Sequence, residues 1–334
     1  MKLIIDTLGA DKGLNVVVKG ALDALKEYEY HPVFCGPQDE LERLIPKDLL
    51  DSNKASILNA NDVILNTDEP ARAIRRKKES SIVIGLKALK EGAADGFISA
   101  GSTGALLAGA TLIVGRITNI DRAALTVLLP GIKSSTILLD VGANMDCSPE
   151  LIRQFAIMGT CYAKALFNKP SPKLGLLNIG SEEGKGDNLA KESYQILKNE
   201  NFNFIGNIES RDILDNDADV IVTDGYSGNI LIKTIEGVAS TILRLLKDGI
   251  MSSFTTKVGG ILIKPAVSGI KDKLDYRSLG SAPMLGAKKP VFKAHGSSDE
   301  LAIRNGILEM IKFIENDVIN EITNIMKDEK NDKE

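Results

Sequence analysis

ISAGSTGALLAGA (residues 98–110) and VIVTDGYSGNILIKTIEG (residues 220–237) follow one plan. An apolar, strand-forming run passes straight into a turn of Gly, Ser, Thr, Asn or Asp, and the turn opens a helical run. LLDVGANMDCSPE (138–150), LLNIGSEEGKGDN (176–188) and VFKAHGSSDE (291–300) repeat it. Strands alternating with helices at this spacing predict a three-layer α/β/α fold with a mostly parallel sheet. In open sheets of this kind, turns at the carboxyl ends of strands converge on a ligand-binding crevice. Glycine-rich turns that open helices present backbone N–H groups suited to phosphate. The expectation is therefore five turns around one crevice that handles phosphate or a similar anion.

Outward from these units, residues 2–6, 32–36 and 55–59 read as further strands and residues 13–27 as a helix. Pro70 suits a first helical turn, and Ile82, Val83, Leu86 and Leu89 recur at helical period, so one long helix is expected from Pro70 to Glu91. Strand-like runs at 123–129 and 135–140, split by GIKSS, predict an antiparallel hairpin inside the parallel sheet. The chain is expected to form a single α/β domain over 1–334, with a charged tail at 327–334 that frays. Residues 243–269 mix Leu, Ile, Met and Phe with Lys247, Lys257 and Lys264. They read as a projecting helical hairpin, serving either dimer packing or reversible contact with a membrane surface or acyl chain.

Composition narrows the function. With no Trp, 4% aromatics and a net charge of −4, the chain lacks the stacking platforms and basic field of a nucleic-acid binder. No run approaches the roughly 18 apolar residues of a membrane span. Cys35, Cys147 and Cys161 have no CxxC spacing, which gives no zinc site and points to a reducing cytoplasm. They read as buried and inert.

Two histidines limit the general acid–base candidates. His31 precedes Pro32 and reads as structural. His295, after a strand and before Gly-Ser-Ser, is placed at the crevice. Lys185 lies between two glycines in GSEEGKGDN. This is no Walker A loop, because the glycine spacing is one residue short and Gly186 replaces Ser or Thr. A lysine so flanked can still approach an anion closely. Ser99, Gly101, Ser102, Thr103, Gly104 and Gly228 supply hydroxyls and flexible backbone for phosphate. Asp224 could orient a donor and Asn229 could polarise a carbonyl, or either could simply cap a helix. Arg72, Arg75 and Arg76, with Lys77 and Lys78 beside them, read as a solvated face or a dock for an acidic partner.

Together, TDEPARAIRRKKESS, ISAGSTGALLA, LLDVGANMDCSPE, GLLNIGSEEGKGDN, DVIVTDGYSGNILIKTIEG and GSAPMLGAKKPVFKAHGSS resemble the bacterial phosphate acyltransferase (PlsX-type) family, in family order across nearly the whole chain. Gly9-Ala10-Asp11 stands for the family's Gly-Gly-Asp, Ser102 for its usual Asn, and Ser210 and Ser281 for Gly. The resemblance implies a fold similar to the isocitrate and isopropylmalate dehydrogenases and to phosphate acetyltransferase. It also implies a homodimer with no organic cofactor; no metal-site residue is assigned. The implied reaction moves a long-chain acyl group from acyl carrier protein to inorganic phosphate, giving acyl phosphate for phospholipid synthesis. A cytoplasmic enzyme with peripheral membrane association through 243–269 is implied as well. On that reading Lys185, His295, Asn229 and Asp224 are catalytic, and the 72–78 cations dock the acidic carrier protein. The rival readings are a metal- and NAD-dependent dehydrogenase, a phosphate acetyltransferase using coenzyme A, and a non-catalytic anion or lipid binder.

Overall fold

The computed structural model describes residues 1–274 and 280–331. The chain opens with β1 (Lys2–Asp6), α1 (Leu14–Leu25), β2 (His31–Gly36), α2 (Gln38–Leu44), α3 (Lys47–Asp51) and β3 (Ser56–Asn59). It continues with α4 (Pro70–Arg76), α5 (Ser81–Lys90), β4 (Gly96–Ser99), α6 (Thr103–Gly109), β5 (Ala124–Leu129), β6 (Thr136–Leu139) and α7 (Pro149–Phe167). Next come β7 (Lys173–Asn178), α8 (Asn188–Asn199), β8 (Asn203–Glu209), β9 (Val220–Val222), α9 (Gly225–Met251) and α10 (Phe254–Leu274). The chain closes with β10 (Ser281–Leu285), β11 (Val291–Ala294), α11 (Glu300–Glu315) and α12 (Val318–Asn331).

The strands form one sheet in the order β3-β2-β1-β4-β11-β10-β5-β6-β9-β7-β8. Strands β3, β2, β1, β4 and β11 are mutually parallel, as are β6, β9, β7 and β8. Between these blocks lie three antiparallel steps: β11 to β10, β10 to β5, and β5 to β6. An odd number of reversals makes the two parallel blocks run in opposite directions. The expected three-layer fold and the 123–140 hairpin are both present. The picture of five turns meeting at one sheet edge is corrected. Turns after β1, β4 and β11 leave one edge, and turns after β6, β7 and β9 leave the other.

The helices divide accordingly. On one face α1, α7 and α11 build the main core with Phe34, Phe155, Phe292 and Ile307. On the other face α5 and α6 cover the first block through Ile82, Leu86, Leu106 and Phe97. There α9 covers β6 and β9 through Ile232, Leu138 and Ile221. The middle of the sheet lies between these two groups of helices.

The helix expected from Pro70 to Glu91 is broken into α4 and α5. Lys77 leaves the helical region (φ −86°, ψ 65°), and its ammonium donates to Asp68 at 2.7 Å and to the Val63 carbonyl at 3.0 Å. Ser80 Oγ closes the turn on the Lys77 carbonyl at 2.8 Å. Two strands outside the sequence reading, β8 and β10, complete the sheet. The tail continues as α12 to Asn331, and residues 332–334 lie outside the described residues.

Candidate active site

A crevice of about 550 Å3 opens on the less covered face, over β5. Leu125, Thr126, Val127 and Leu128 form its floor. Gly9 and Asp11 after β1, Gly101, Thr103 and Gly104 after β4, and His295 and Gly296 after β11 line one side. Gly142, Asn229, Ile232, Lys233 and Glu236 line the other. Both blocks of the sheet therefore contribute, the second through the turn after β6 and the first turns of α9.

Close backbone approach builds these turns. Gly9 has φ +82°, and a Cβ there would lie 2.7 Å from Gly101 Cα, so only glycine fits where the two turns meet. A Cβ on Gly228 would lie 2.0 Å from the Asp140 carbonyl oxygen, which seats α9 against the turn after β6. Asp140 is buried and fixes that turn. Its carboxylate accepts from the backbone of Leu125 (3.0 Å), Ala143 (3.2 Å) and Asn144 (2.6 Å) and from the Asn144 amide (2.9 Å).

Sequence reasoning missed Lys293. This partly buried lysine lines the crevice and donates from Nζ to the carbonyls of Ala100, at 3.2 Å, and Ala294. Burial lowers its pKa to about 8, against the opposing fields of Asp6 and Asp11. The ammonium still predominates at neutral pH. Nearby, burial raises the Asp6 carboxyl to about 6, opposed by the hydrogen bonds from Ser99 and Leu8 and by Lys293. Ser99 Oγ donates to Asp6 at 2.6 Å and accepts from the Gly101 N–H at 3.0 Å. The one available signal was alternation: in VFKAH, Lys293 is a charge inside an apolar strand.

His295 stands on the same strand end. The Ser297 N–H donates to Nδ1 at 3.2 Å, and Ser297 Oγ lies 2.8 Å from it, so the neutral ring carries its proton on Nε2. Burial holds its pKa below the usual histidine value, with the Glu236 field opposing. Lys233, one helical step from Asn229, pairs with Glu236 at 2.8 Å.

The remaining sequence-derived residues divide. Gly101, Thr103, Gly104, Asn229 and His295 meet at the crevice. Ser99 lies beneath it with its hydroxyl engaged, and Ser102 caps α6 through the Ala105 N–H at 3.5 Å. Asp224 caps α9, accepting from Ser227 N at 2.8 Å. It lines a different cavity of about 570 Å3 together with Asn178, Gly186 and Tyr226. Lys185 lies in the turn after β7, 3.9 Å from Glu182 and half-exposed, and does not line the crevice. Arg72, Arg75 and Arg76 are exposed on α4; Lys77 is tied to Asp68, and Lys78 lies beyond the break rather than on the arginines' helix. Burial raises all three thiols, Cys147 to about 11 and Cys161 to about 12, so none is a thiolate at neutral pH. His31 Nε2 lies 2.9 Å from Ser56 Oγ, between neighbouring strands. Among the described residues no group of three or more His, Cys, Asp or Glu side chains could hold a metal ion.

Residues 1–321 match the model of a family described as fatty acid synthesis protein. A phosphate acyltransferase of Clostridium novyi (strain NT) is 47% identical over 323 residues, covering 96% of this chain and 97% of that protein. A phosphate acyltransferase of Clostridium acetobutylicum is 44% identical over 324 residues, covering 97% and 98%. Among solved structures, a phosphotransacetylase from Streptococcus pyogenes superposes with a TM-score of 0.61 at 17% identity, covering 94% of each chain. A branched-chain phosphotransacylase from Enterococcus faecalis V583 gives 0.58 at 13% identity, covering 94% and 99%. At these identities the two structures support the fold alone.

Proposed function

The chain belongs to the fatty acid synthesis protein family, with phosphate acyltransferases among its relatives, and we propose that this acyltransferase moves a long-chain acyl group from acyl carrier protein to inorganic phosphate in the crevice over β5. The observation that carries the reading is Lys293, a partly buried ammonium among glycine turns contributed by both blocks of the sheet. Phosphate is already an anion near neutral pH, about half of it dianion, and needs positioning more than deprotonation. Lys293 and the backbone of Gly101, Thr103 and Gly104 hold it. A phosphate oxygen attacks the thioester carbonyl, and negative charge grows on the carbonyl oxygen. Asn229, beside Gly142 on one wall of the crevice, is placed to donate to that oxygen, a contribution of about 3 kcal/mol. The carbon–sulfur bond then breaks and the sulfur leaves as a thiolate; the neutral His295 ring is the nearby group that can donate a hydrogen bond to it from Nε2, and the thiolate takes its proton from solvent. No covalent intermediate on the enzyme is needed. Asp224 and Lys185 have no direct contact with phosphate in this reading, because Asp224 lines the other cavity and Lys185 lies in the turn beside it, outside the crevice.

Three further assignments belong to the same proposal. Arg72, Arg75 and Arg76 form the carrier-protein dock, since all three are exposed on one short helix. The α9–α10 pair makes peripheral contact with a membrane. Leu245, Met251, Phe254, Ile261 and Leu262 are exposed there beside Lys247, Lys257 and Lys264, while no helix among the described residues is long and apolar enough to cross a membrane. The protein is a homodimer, supported by the exposed Ile179, Tyr226 and Ile230 near the second cavity. Sedimentation tests the dimer and flotation with anionic vesicles tests the membrane contact.

The test of the activity is turnover with palmitoyl-acyl carrier protein and phosphate, following thiol release and trapping acyl phosphate with hydroxylamine. Phosphate-dependent thiol release with a hydroxamate product is expected. Thiol release that ignores phosphate overturns the reading.

A further inference from the structure

The crevice does not end at Glu236. Val127, Ile232 and Glu236 line it and also line an adjoining cavity of about 390 Å3 between α9 and the β5–β6 hairpin. Beyond those shared residues the lining turns apolar: Leu129, Pro130 and Leu214 on one side, Ile235, Ala239 and Ile242 on the other. Apart from the exposed Ser210 at its rim, the polar groups along it are engaged. Thr234 Oγ donates to the Ile230 carbonyl at 2.8 Å, Glu236 pairs with Lys233, and Arg211 is held by Glu209 and Asp212 at the rim. Leu129 and Ile232 are buried, whereas Val238 and Ile242 are 52% and 57% exposed, so the groove is deep beside the crevice and opens outward along α9. From Ile232 to Ile242 the helix rises about 15 Å, at 1.5 Å per residue. At roughly 1.2 Å per bond in an extended chain, that length holds about a dozen carbons.

We propose that this groove binds the hydrocarbon chain of the acyl thioester, with the carbonyl end at Val127 and Ile232 and the methyl end directed toward Ile242. The inference rests on the reading of the crevice as the phosphate and thioester site, with which the groove is continuous. An unbranched alkyl chain matches the lining: it has no polar atom to satisfy, and its length follows the groove. Ala239 lies part-way along. A small side chain there leaves room for long chains, and a short acyl group ends before reaching it.

The test is Ala239→Phe, assayed with palmitoyl and butanoyl thioesters of acyl carrier protein at saturating phosphate. For palmitoyl, kcat/KM falls about tenfold or more through lost methylene burial, while butanoyl turnover and the KM for phosphate stay unchanged. Unchanged palmitoyl turnover, or an equal loss for both chains, overturns the groove. The unsubstituted protein provides a second readout: a dodecanoyl thioester with a diazirine at the methyl end should crosslink to residues 235–242 or 210–214, and crosslinks confined to other segments overturn the groove. If the unsubstituted protein turns over neither thioester with phosphate, the reading of the crevice itself fails, a result separate from any change in chain preference.

Discussion

Replacing Lys293 by Met should remove both phosphate affinity and one limb of its pH dependence. The ammonium is the buried cation of the crevice, and a hydrogen bond to a charged partner contributes about 1.5–3 kcal/mol, so the KM for phosphate should rise roughly 10- to 150-fold. The pH argument is sharper. Burial lowers Lys293 to about 8, so the charged, phosphate-binding form is lost as pH rises through that value. About nine-tenths of the side chain is protonated at pH 7 and about one-tenth at pH 9, so the KM should rise about tenfold between them when expressed as phosphate dianion, and about fourfold as total phosphate. Inorganic phosphate passes from a near-even mixture of mono- and dianion to almost all dianion over this range, so its own titration opposes the loss and cannot produce it. Asp6→Asn removes a carboxylate whose field supports the ammonium, and should move the alkaline limb to lower pH. The assay is initial velocity against phosphate concentration at fixed acyl donor from pH 6.5 to 9.5. A KM for phosphate that is flat from pH 7 to 9, or an alkaline limb that survives Lys293→Met, refutes the reasoning.

His295→Asn should lower kcat by about 10- to 100-fold with little change in the KM for phosphate, as loss of a hydrogen bond to a developing charge does, at about 1.5–3 kcal/mol; an unchanged kcat in a folded variant removes that role. Reversing Arg72, Arg75 and Arg76 to Glu should raise the KM for acyl carrier protein at low salt by about tenfold and leave kcat alone, an effect that fades as salt is added, whereas Lys77→Met, already paired with Asp68, should move it little. Gly9→Ala places a Cβ 2.7 Å from Gly101 Cα at positive φ, and should cost about 1–3 kcal/mol by thermal denaturation and weaken phosphate binding. Glu309 is buried against the Tyr162 hydroxyl, with its folded pKa raised to about 8. Its carboxyl keeps its proton when folded and releases it near 4.5 when unfolded, so its contribution is complete at low pH and declines as pH rises to about 8. Glu309→Gln should raise the melting temperature at pH 8 and much less at pH 5, and an equal shift at both pH values contradicts this.

The strand-to-helix units were legible because each is local. The glycine turns, the caps and the apolar periodicity all lie within about 20 residues of one another. The same locality placed Gly101, Thr103, Gly104, Asn229 and His295 at turns or first helical residues that do reach the crevice. The break at Lys77 was not legible, because it depends on Asp68 and Val63, whose spatial position no helical period encodes. Lys293 was passed over for a related reason. In sequence it is one charge in a short strand, and only the neighbouring turns after β1 and β4 turn that charge into the cation of a site.

The sequence by itself determined the α/β class, the run of strand-to-helix units and the family, since composition, periodicity and ordered motifs are properties of the chain. The tertiary structure alone decided which turns share a crevice. That outcome depends on β10, brought from residues 281–285 to lie between β11 and β5. The antiparallel steps there reverse the second half of the sheet, sending the Lys185 and Asp224 turns to one cavity and leaving Lys293, His295 and Asn229 around another. Strand direction is set by long-range backbone pairing, and no local propensity specifies it.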